Sequence, residues 1–166
     1  MLAFVAAGCG GQSEEEKWAS SVCSDLGDWK SQVTQATNDI ASEVQSPGAG
    51  TLAAIETNVR KAVNATSQLA SDLRALGAPD TESGAQAKQQ LDSLVSELEG
   101  TANQAKQTVQ SAKGSGLTQM VQALTPLASE LQSLGTKVSS TLTSIQQTST
   151  KLKDGFQKAD SCKQFR

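Results

Sequence analysis

Very few side chains in this sequence could take part in chemistry, and their types and spacing argue against an active site. The chain has three cysteines and no histidine, so neither a Ser-His-Asp triad nor a thiol–imidazole pair can form. Glu97 and Glu99 lie two positions apart, and on a helix such residues do not face each other as a general acid and base must. No zinc-ligand spacing, phosphate loop or dinucleotide fingerprint is present. We therefore expect a protein that is not an enzyme and uses no metal or cofactor.

The first cysteine, Cys9, ends an apolar and then small-residue run that polar sequence follows at once. Ala6-Ala7-Gly8-Cys9 resembles the lipobox, in which a signal is cut before a cysteine that becomes the diacylglyceryl-modified first residue. This resemblance implies a signal peptide remnant at 1–8, truncated at its start because no basic residue precedes it, and a lipidated N-terminus with a short linker at 9–13. It also implies an extracytoplasmic protein attached to the cell membrane by a lipid anchor. A fortuitous apolar N-terminus is the alternative.

The remaining cysteines are Cys23 and Cys162. An odd number of cysteines in a secreted chain needs an explanation, which lipidation of Cys9 would supply. Cys23 and Cys162 could then form a disulfide, and such a bridge would persist only in an oxidising compartment. The alternative is two independent cysteines that behave as small apolar residues.

The composition provides few large apolar side chains for a globular core. Of 166 residues, 37% are hydrophobic and 3% aromatic, which suits one domain with a modest core. The formal charge of −3 provides no basic surface, so we expect no nucleic-acid partner. No apolar stretch reaches the roughly 20 residues that a spanning helix needs, so the acyl chains on Cys9 would be the membrane attachment.

Apolar residues recur at three- and four-residue steps along the chain, which predicts amphipathic helices rather than disorder. The predicted apolar stripe of the first helix runs from Trp18 to Ile40 and Val44, and that of the third runs from Ala87 to Ala112. Ser13 with Glu16 three positions later is a capping-box pattern at the start of the first helix. Gly77 is expected to adopt a left-handed conformation after the second helix. The helices are predicted from Glu14 to the turn at 46–50, from about Thr51 to Leu76, from a cap at Asp80, Thr81 or Ser83 to Ala112, and from Leu117 to about Phe156.

The fourth segment contains two irregularities. Pro126 removes one backbone hydrogen bond, which predicts a kink near Leu124 or a restart with Thr125 as N-cap. Thr148 or Ser149 is expected to interrupt the same segment further on.

Four such helices joined by short turns pack most simply as an all-α, elongated, antiparallel up-down-up-down four-helix bundle over residues 14–166. In that topology the first helix begins where the fourth ends, so Cys23 and Cys162 would lie at the same pole. A coiled coil between chains is the alternative, and a homodimer stays open because polar residues interrupt the apolar stripes.

The two tryptophans, Trp18 and Trp29, lie eleven positions apart and therefore on one helix face. Exposed, they could stack on the sugar rings of a cell-wall glycan. Buried, they would be core anchors together with Phe156.

Residues 9–166 resemble the small lipoproteins of high-GC Gram-positive bacteria. The resemblance rests on Cys9-Gly10-Gly11, on Trp18-Ala19-Ser20-Ser21-Val22-Cys23 followed by Leu26 and Trp29, and on Ala159-Asp160-Ser161-Cys162. It implies an envelope location and a Cys23–Cys162 disulfide, and it implies no activity.

We therefore expect a lipid-anchored, non-enzymatic binding or scaffolding module whose protein or glycan partner is unknown. The alternative is a carrier that holds an apolar or amphipathic ligand between helices, where the alanine-rich stretch Ala102–Ala112 leaves a cavity.

Overall fold

The structure, a computed structural model, describes residues 12–112, 114 and 116–165. Within those residues the fold is all-α: it consists of helices and their connecting turns and contains no strand. Cys9 and the predicted signal peptide remnant lie outside the described residues. The helices are α1 (Glu14–Gln45), α2 (Thr51–Ala75), α3 (Gly84–Ala112), α4 (Leu117–Thr148), α5 (Thr150–Lys158) and a C-terminal 3₁₀ helix (Asp160–Phe165).

The predicted signals at the helix ends are confirmed at two positions. The Ser13 hydroxyl accepts a hydrogen bond from the Glu16 amide at 3.2 Å, which satisfies one of the free N–H groups that open α1. Gly77 has a φ of 68°, the left-handed conformation that glycine adopts without steric cost. Pro79 follows it, so α2 cannot continue into the turn.

Pro126 lies inside α4, which runs without a break from Leu117 to Thr148. The predicted restart at Thr125 is wrong, because the Thr125 hydroxyl donates to the Val121 carbonyl at 3.0 Å instead of capping a new helix. A proline removes only its own N–H donor, and the turns on either side keep their hydrogen bonds.

The interruption at Ser149 is confirmed, and it divides the predicted fourth helix in two. Ser149 has extended φ and ψ angles of −158° and 154°, and its hydroxyl accepts a hydrogen bond from the Leu152 amide at 3.2 Å, which caps α5. The six helices of the described residues therefore replace the four predicted ones. We call residues 150–165, which comprise α5 and the 3₁₀ helix, the C-terminal strap.

Helices that follow each other in the sequence pack side by side from α1 to α4. Two contacts define the directions of α3 and α4. Lys137 pairs with Glu97 at 2.7 Å, and Gln104 donates to Glu130 at 2.6 Å. The later residue of α3 thus meets the earlier residue of α4, so these two helices are antiparallel. By contrast α1 and α4 touch only sparsely, because the strap contacts both of them.

The buried apolar residues form two clusters. The basal core surrounds the disulfide and includes both tryptophans, Phe156 and most of the buried leucines. The distal core lies toward the other end and has fewer large side chains. Its buried members are Ile55, Val59, Val63, Ala102, Ala105, Val109, Ala112, Met120 and Leu127.

Candidate binding site between the first and fourth helices

The disulfide joins the two ends of the described chain. Cys23 and Cys162 are bonded, with their Cα atoms 5.0 Å apart, and both residues are buried. The predicted pairing is therefore present, but the chain reaches it by a different route. The strap turns back after α4 and brings Cys162 along α1.

The C-terminal strap runs beside the start of α1 and in the same direction. A Cβ atom added at Gly155 would lie 2.8 Å from the carbonyl of Glu15, so only glycine permits this approach. Further along, the Ser161 hydroxyl donates to the Ser20 carbonyl at 2.9 Å. The strap therefore occupies the space beside the first turns of α1.

Both tryptophans belong to the basal core, which makes the glycan-stacking interpretation wrong. Trp18 is 7% exposed and Trp29 is 5% exposed. The Trp18 indole N–H donates to the Gly77 carbonyl at 3.2 Å, and the ring of Phe156 meets Trp18 edge to face at 6.0 Å. The Trp29 indole N–H donates to the Thr66 hydroxyl at 3.1 Å. Neither ring is free to stack on a sugar.

Beyond the end of the strap, α1 and α4 leave a groove of about 330 Å³ between them. Its apolar lining includes Val33 and Val138, both buried in the basal core. Exposed polar side chains lie along it on both helices. Those on α1 are Thr34 and Asn38, and those on α4 are Gln132 and Ser139.

An apolar cavity of about 80 Å³ lies between all four long helices, next to this groove. It exists because α2 and α3 present small side chains there, among them Ala62, Ala102 and Ala105. Thr66 also lines it, but its hydroxyl already donates to the Ala62 carbonyl and accepts from Trp29. The cavity therefore offers an almost wholly apolar surface.

The cavity and the groove share two lining residues, Thr37 and Leu131. Thr37 is exposed and Leu131 is half-buried. On the opposite side, a second groove between α2 and α3 shares Val59 and Val63 with the cavity, but those valines are only 6% and 5% exposed. These valines separate the cavity from the α2–α3 groove, whereas Thr37 and Leu131 border the α1–α4 groove.

The acidic residues do not assemble into a reactive centre. Glu97 pairs with Lys137 of α4, whereas Glu99 pairs with Arg74 of α2 at 2.7 Å. The hydrogen bond from the Arg74 guanidinium holds the pKa of Glu99 below its usual range. The two glutamates therefore bind different helices, as their spacing predicts.

A second group of carboxylates lies near the disulfide. Partial burial raises the pKa of Asp25, and the nearby carboxylates of Asp72 and Asp28 raise it further. In the part of the chain that the structure describes, no cluster of three or more cysteine, aspartate or glutamate side chains could hold a metal ion. Among the same described residues, no helix is both long and apolar enough to cross a membrane.

Sequence reasoning anticipated the cavity from the alanines of α3 but missed the α1–α4 groove. The groove lies beside Phe165 of the strap, and a pattern of apolar residues does not reveal that a segment turns back along an earlier helix. The interruption at Ser149 was the one local signal that could have indicated the turn. No known protein family, no curated protein and no solved structure matches this chain.

Proposed function

We propose that the protein is a lipid-anchored binding or scaffolding module of the bacterial cell envelope, without enzymatic activity. The single observation that carries the proposal is the buried Cys23–Cys162 disulfide, because such a bridge persists only in an oxidising compartment. The third cysteine, Cys9, is then explained by lipidation within its lipobox-like sequence. The type of protein that this combination suggests is the small lipoprotein of high-GC Gram-positive bacteria.

In this proposal the long helices form an elongated antiparallel up-down-up-down four-helix bundle that stands on its lipid anchor. The contacts between α3 and α4 support opposite directions for those helices. Trp18 contacts Gly77, just after the end of α2, whereas Trp29 contacts Thr66 within α2, which supports opposite directions for α1 and α2. A helix of 32 residues such as α1 is about 48 Å long. A protein, a glycan or a second copy of the chain is the candidate partner.

The first test is the intact mass of the protein recovered from the envelope of its native host, with and without reductant and alkylation. The expected mass begins at Cys9, carries acyl groups and shows two thiols that react only after reduction. An unmodified chain that begins at Met1 and has three free thiols would refute the envelope location. Crosslinking in intact cells that yields no protein or glycan above background would refute the role in partner binding.

A specific observation favours a second candidate function, that of a carrier for an apolar or amphipathic ligand. The observation is the apolar cavity that shares Thr37 and Leu131 with the α1–α4 groove. Ligand sites in proteins are concave, mostly apolar and supplied with a few polar groups at the edge, and the cavity and groove have this arrangement. Native mass spectrometry of gently purified protein tests it, because a carrier should retain its ligand. A mass equal to that of the protein alone would refute the carrier function.

A further inference from the structure

We propose that the cavity and the α1–α4 groove form one binding site for a single-chain amphiphile with an anionic head. The end of the chain would occupy the cavity, the rest of the chain would lie along the groove, and the head would lie beside Lys30. This inference rests on the carrier function and adds the chemical class of the ligand and its orientation.

The size of the cavity determines which part of a ligand it can hold. Its volume of about 80 Å³ is roughly half of the 150 Å³ cavity that is known to accommodate benzene. It therefore accepts the end of an alkyl chain and excludes rings and bulky groups. Its lining is apolar apart from Thr37, Thr66 and Thr101, and the hydroxyls of Thr37 and Thr66 already donate to carbonyls of their own helices. A polar head would therefore lose most of its hydrogen bonds there.

The groove supplies room for the rest of the chain. Its volume of about 330 Å³ lies at the lower end of the range for small-molecule sites, about 300–1,000 Å³. Thr37 and Leu131 border both spaces, so a chain that enters between them passes from one to the other. Val33 and Val138 would contact methylene groups, while the exposed polar side chains beside them stay in water.

The charge of the site indicates the head. Among the described residues that line the groove, Lys30 is the one charged side chain. Its ammonium lies 5.7 Å from the centre of the Phe165 ring, which places it at the end of the groove next to the strap. Lys30 and Thr37 are seven residues apart on α1, or about 10 Å. An anionic head at Lys30 is therefore separated from the cavity entrance by the length of a short alkyl segment.

The competing explanation is that the cavity is an empty packing defect of an alanine-rich core. Small voids do occur in folded domains, and they lower stability without binding anything. The two explanations differ in what happens when the cavity is filled by a larger side chain. Filling a defect raises stability and changes no binding, whereas filling a site removes the ligand.

The experiment uses the full chain with Cys9→Ser, so that no acyl chain of its own competes, and isothermal titration calorimetry below micelle-forming concentrations. The probes are dodecanoate, dodecyl maltoside and dodecyltrimethylammonium, which share a chain and differ in the charge of the head. Dodecanoate is expected to bind most tightly, with the negative heat-capacity change of apolar burial. Equal affinities for the three probes, or no binding by a folded protein, would overturn the proposal.

Two variants test the orientation. Ala105→Leu should weaken binding of dodecanoate at least about tenfold, because two buried methylene groups are worth about that factor. The melting temperature of Ala105→Leu shows whether that variant is folded. If it is not, Ala102→Val fills the cavity with a smaller side chain. Lys30→Gln should weaken dodecanoate about two- to fivefold and leave dodecyl maltoside unchanged. Lys106→Gln, in the α2–α3 groove, is the matched control and should change neither.

The outcomes separate this inference from the carrier function. A folded Ala105→Leu variant that melts at a higher temperature and binds dodecanoate unchanged would identify the cavity as a packing defect and overturn the inference. Binding of dodecanoate in solution, with no amphiphile found on protein from the envelope, would support the site and refute the carrier function in the cell.

Discussion

Removal of the disulfide should be the most destabilising simple change that can be made to this protein. Cys23 and Cys162 are 139 positions apart, so the bridge closes a loop that includes nearly all of the folded chain. In the chain-entropy treatment, closing a loop of that length lowers the entropy of the unfolded state and so raises its free energy by about 5 kcal/mol at 25 °C. Domains are stable by only about 5–15 kcal/mol, so the bridge accounts for a third or more of the expected total.

The variant for this test is Cys23→Ala with Cys162→Ala. Alanine is preferred to serine because Cys23 is fully buried and Cys162 is 3% exposed, and a buried hydroxyl without a partner would add a desolvation cost of its own. At about 2–4 °C per kcal/mol for a chain of this length, the melting temperature should fall by about 10–20 °C.

The assay is thermal unfolding followed by circular dichroism, with and without reductant, for the wild-type chain and the double variant. Reductant should lower the melting temperature of the wild type toward that of the variant and leave the variant unchanged. A wild-type melting temperature that moves by less than about 3 °C on complete reduction would refute the reasoning. In that case the contacts of the strap, such as Ser161 with Ser20, would hold the ends together without the bridge.

Three further predictions concern the strap and its surroundings. Ser149→Ala should lower the free energy of unfolding by about 1 kcal/mol in urea denaturation, because it removes the N-cap of α5; no loss would show that the cap is unimportant. Gly155→Ala should cost about 1–3 kcal/mol, because its Cβ would meet the Glu15 carbonyl at 2.8 Å. The matched control Gly100→Ala, with no atom within 4 Å of its added Cβ, should instead stabilise by about 0.5–1 kcal/mol, and equal effects would contradict the close approach. Asp25→Asn should stabilise the protein by about 0.2–0.5 kcal/mol near pH 7, because it removes a charge that is partly buried and is repelled by the carboxylates of Asp72 and Asp28. The pKa of Asp25 is raised in the folded state, so folding favours its protonated form. The stability advantage of the variant should therefore disappear as the pH falls below the ordinary aspartate pKa of about 3.9. A stability advantage that persists in acid would contradict this cause.

The helices and most of their buried faces could be predicted from the sequence, because amphipathic periodicity is a local property. In α3 the predicted stripe is confirmed along its whole length, from Ala87 to Ala112. The stripe of α1 fails at its far end, where Ile40 is half-buried and Val44 is 37% exposed. Periodicity identifies a face that could be buried, but whether a neighbouring helix covers it is decided by the tertiary structure.

The candidate site shows the same limit. The alanines at 102 and 105 predicted a cavity because small side chains leave space wherever their helices pack. To predict the groove beside it, one would have to know that the chain turns at Ser149 and that the strap packs along α1. A serine within a helical pattern is compatible with a helix N-cap, but the surrounding sequence does not determine the direction in which the chain continues.

The unequal distribution of large side chains along the helices has a consequence for ligand entry. The basal core combines the disulfide, two tryptophans and Phe156, whereas the buried members of the distal core include three alanines and no aromatic residue. Regions with few large buried side chains open at a lower free energy than the rest of a domain. The helices should therefore separate most easily around the cavity, while the disulfide keeps the basal end closed. Such local opening would admit the end of an alkyl chain that is too long for the cavity volume of about 80 Å³, without unfolding of the basal core.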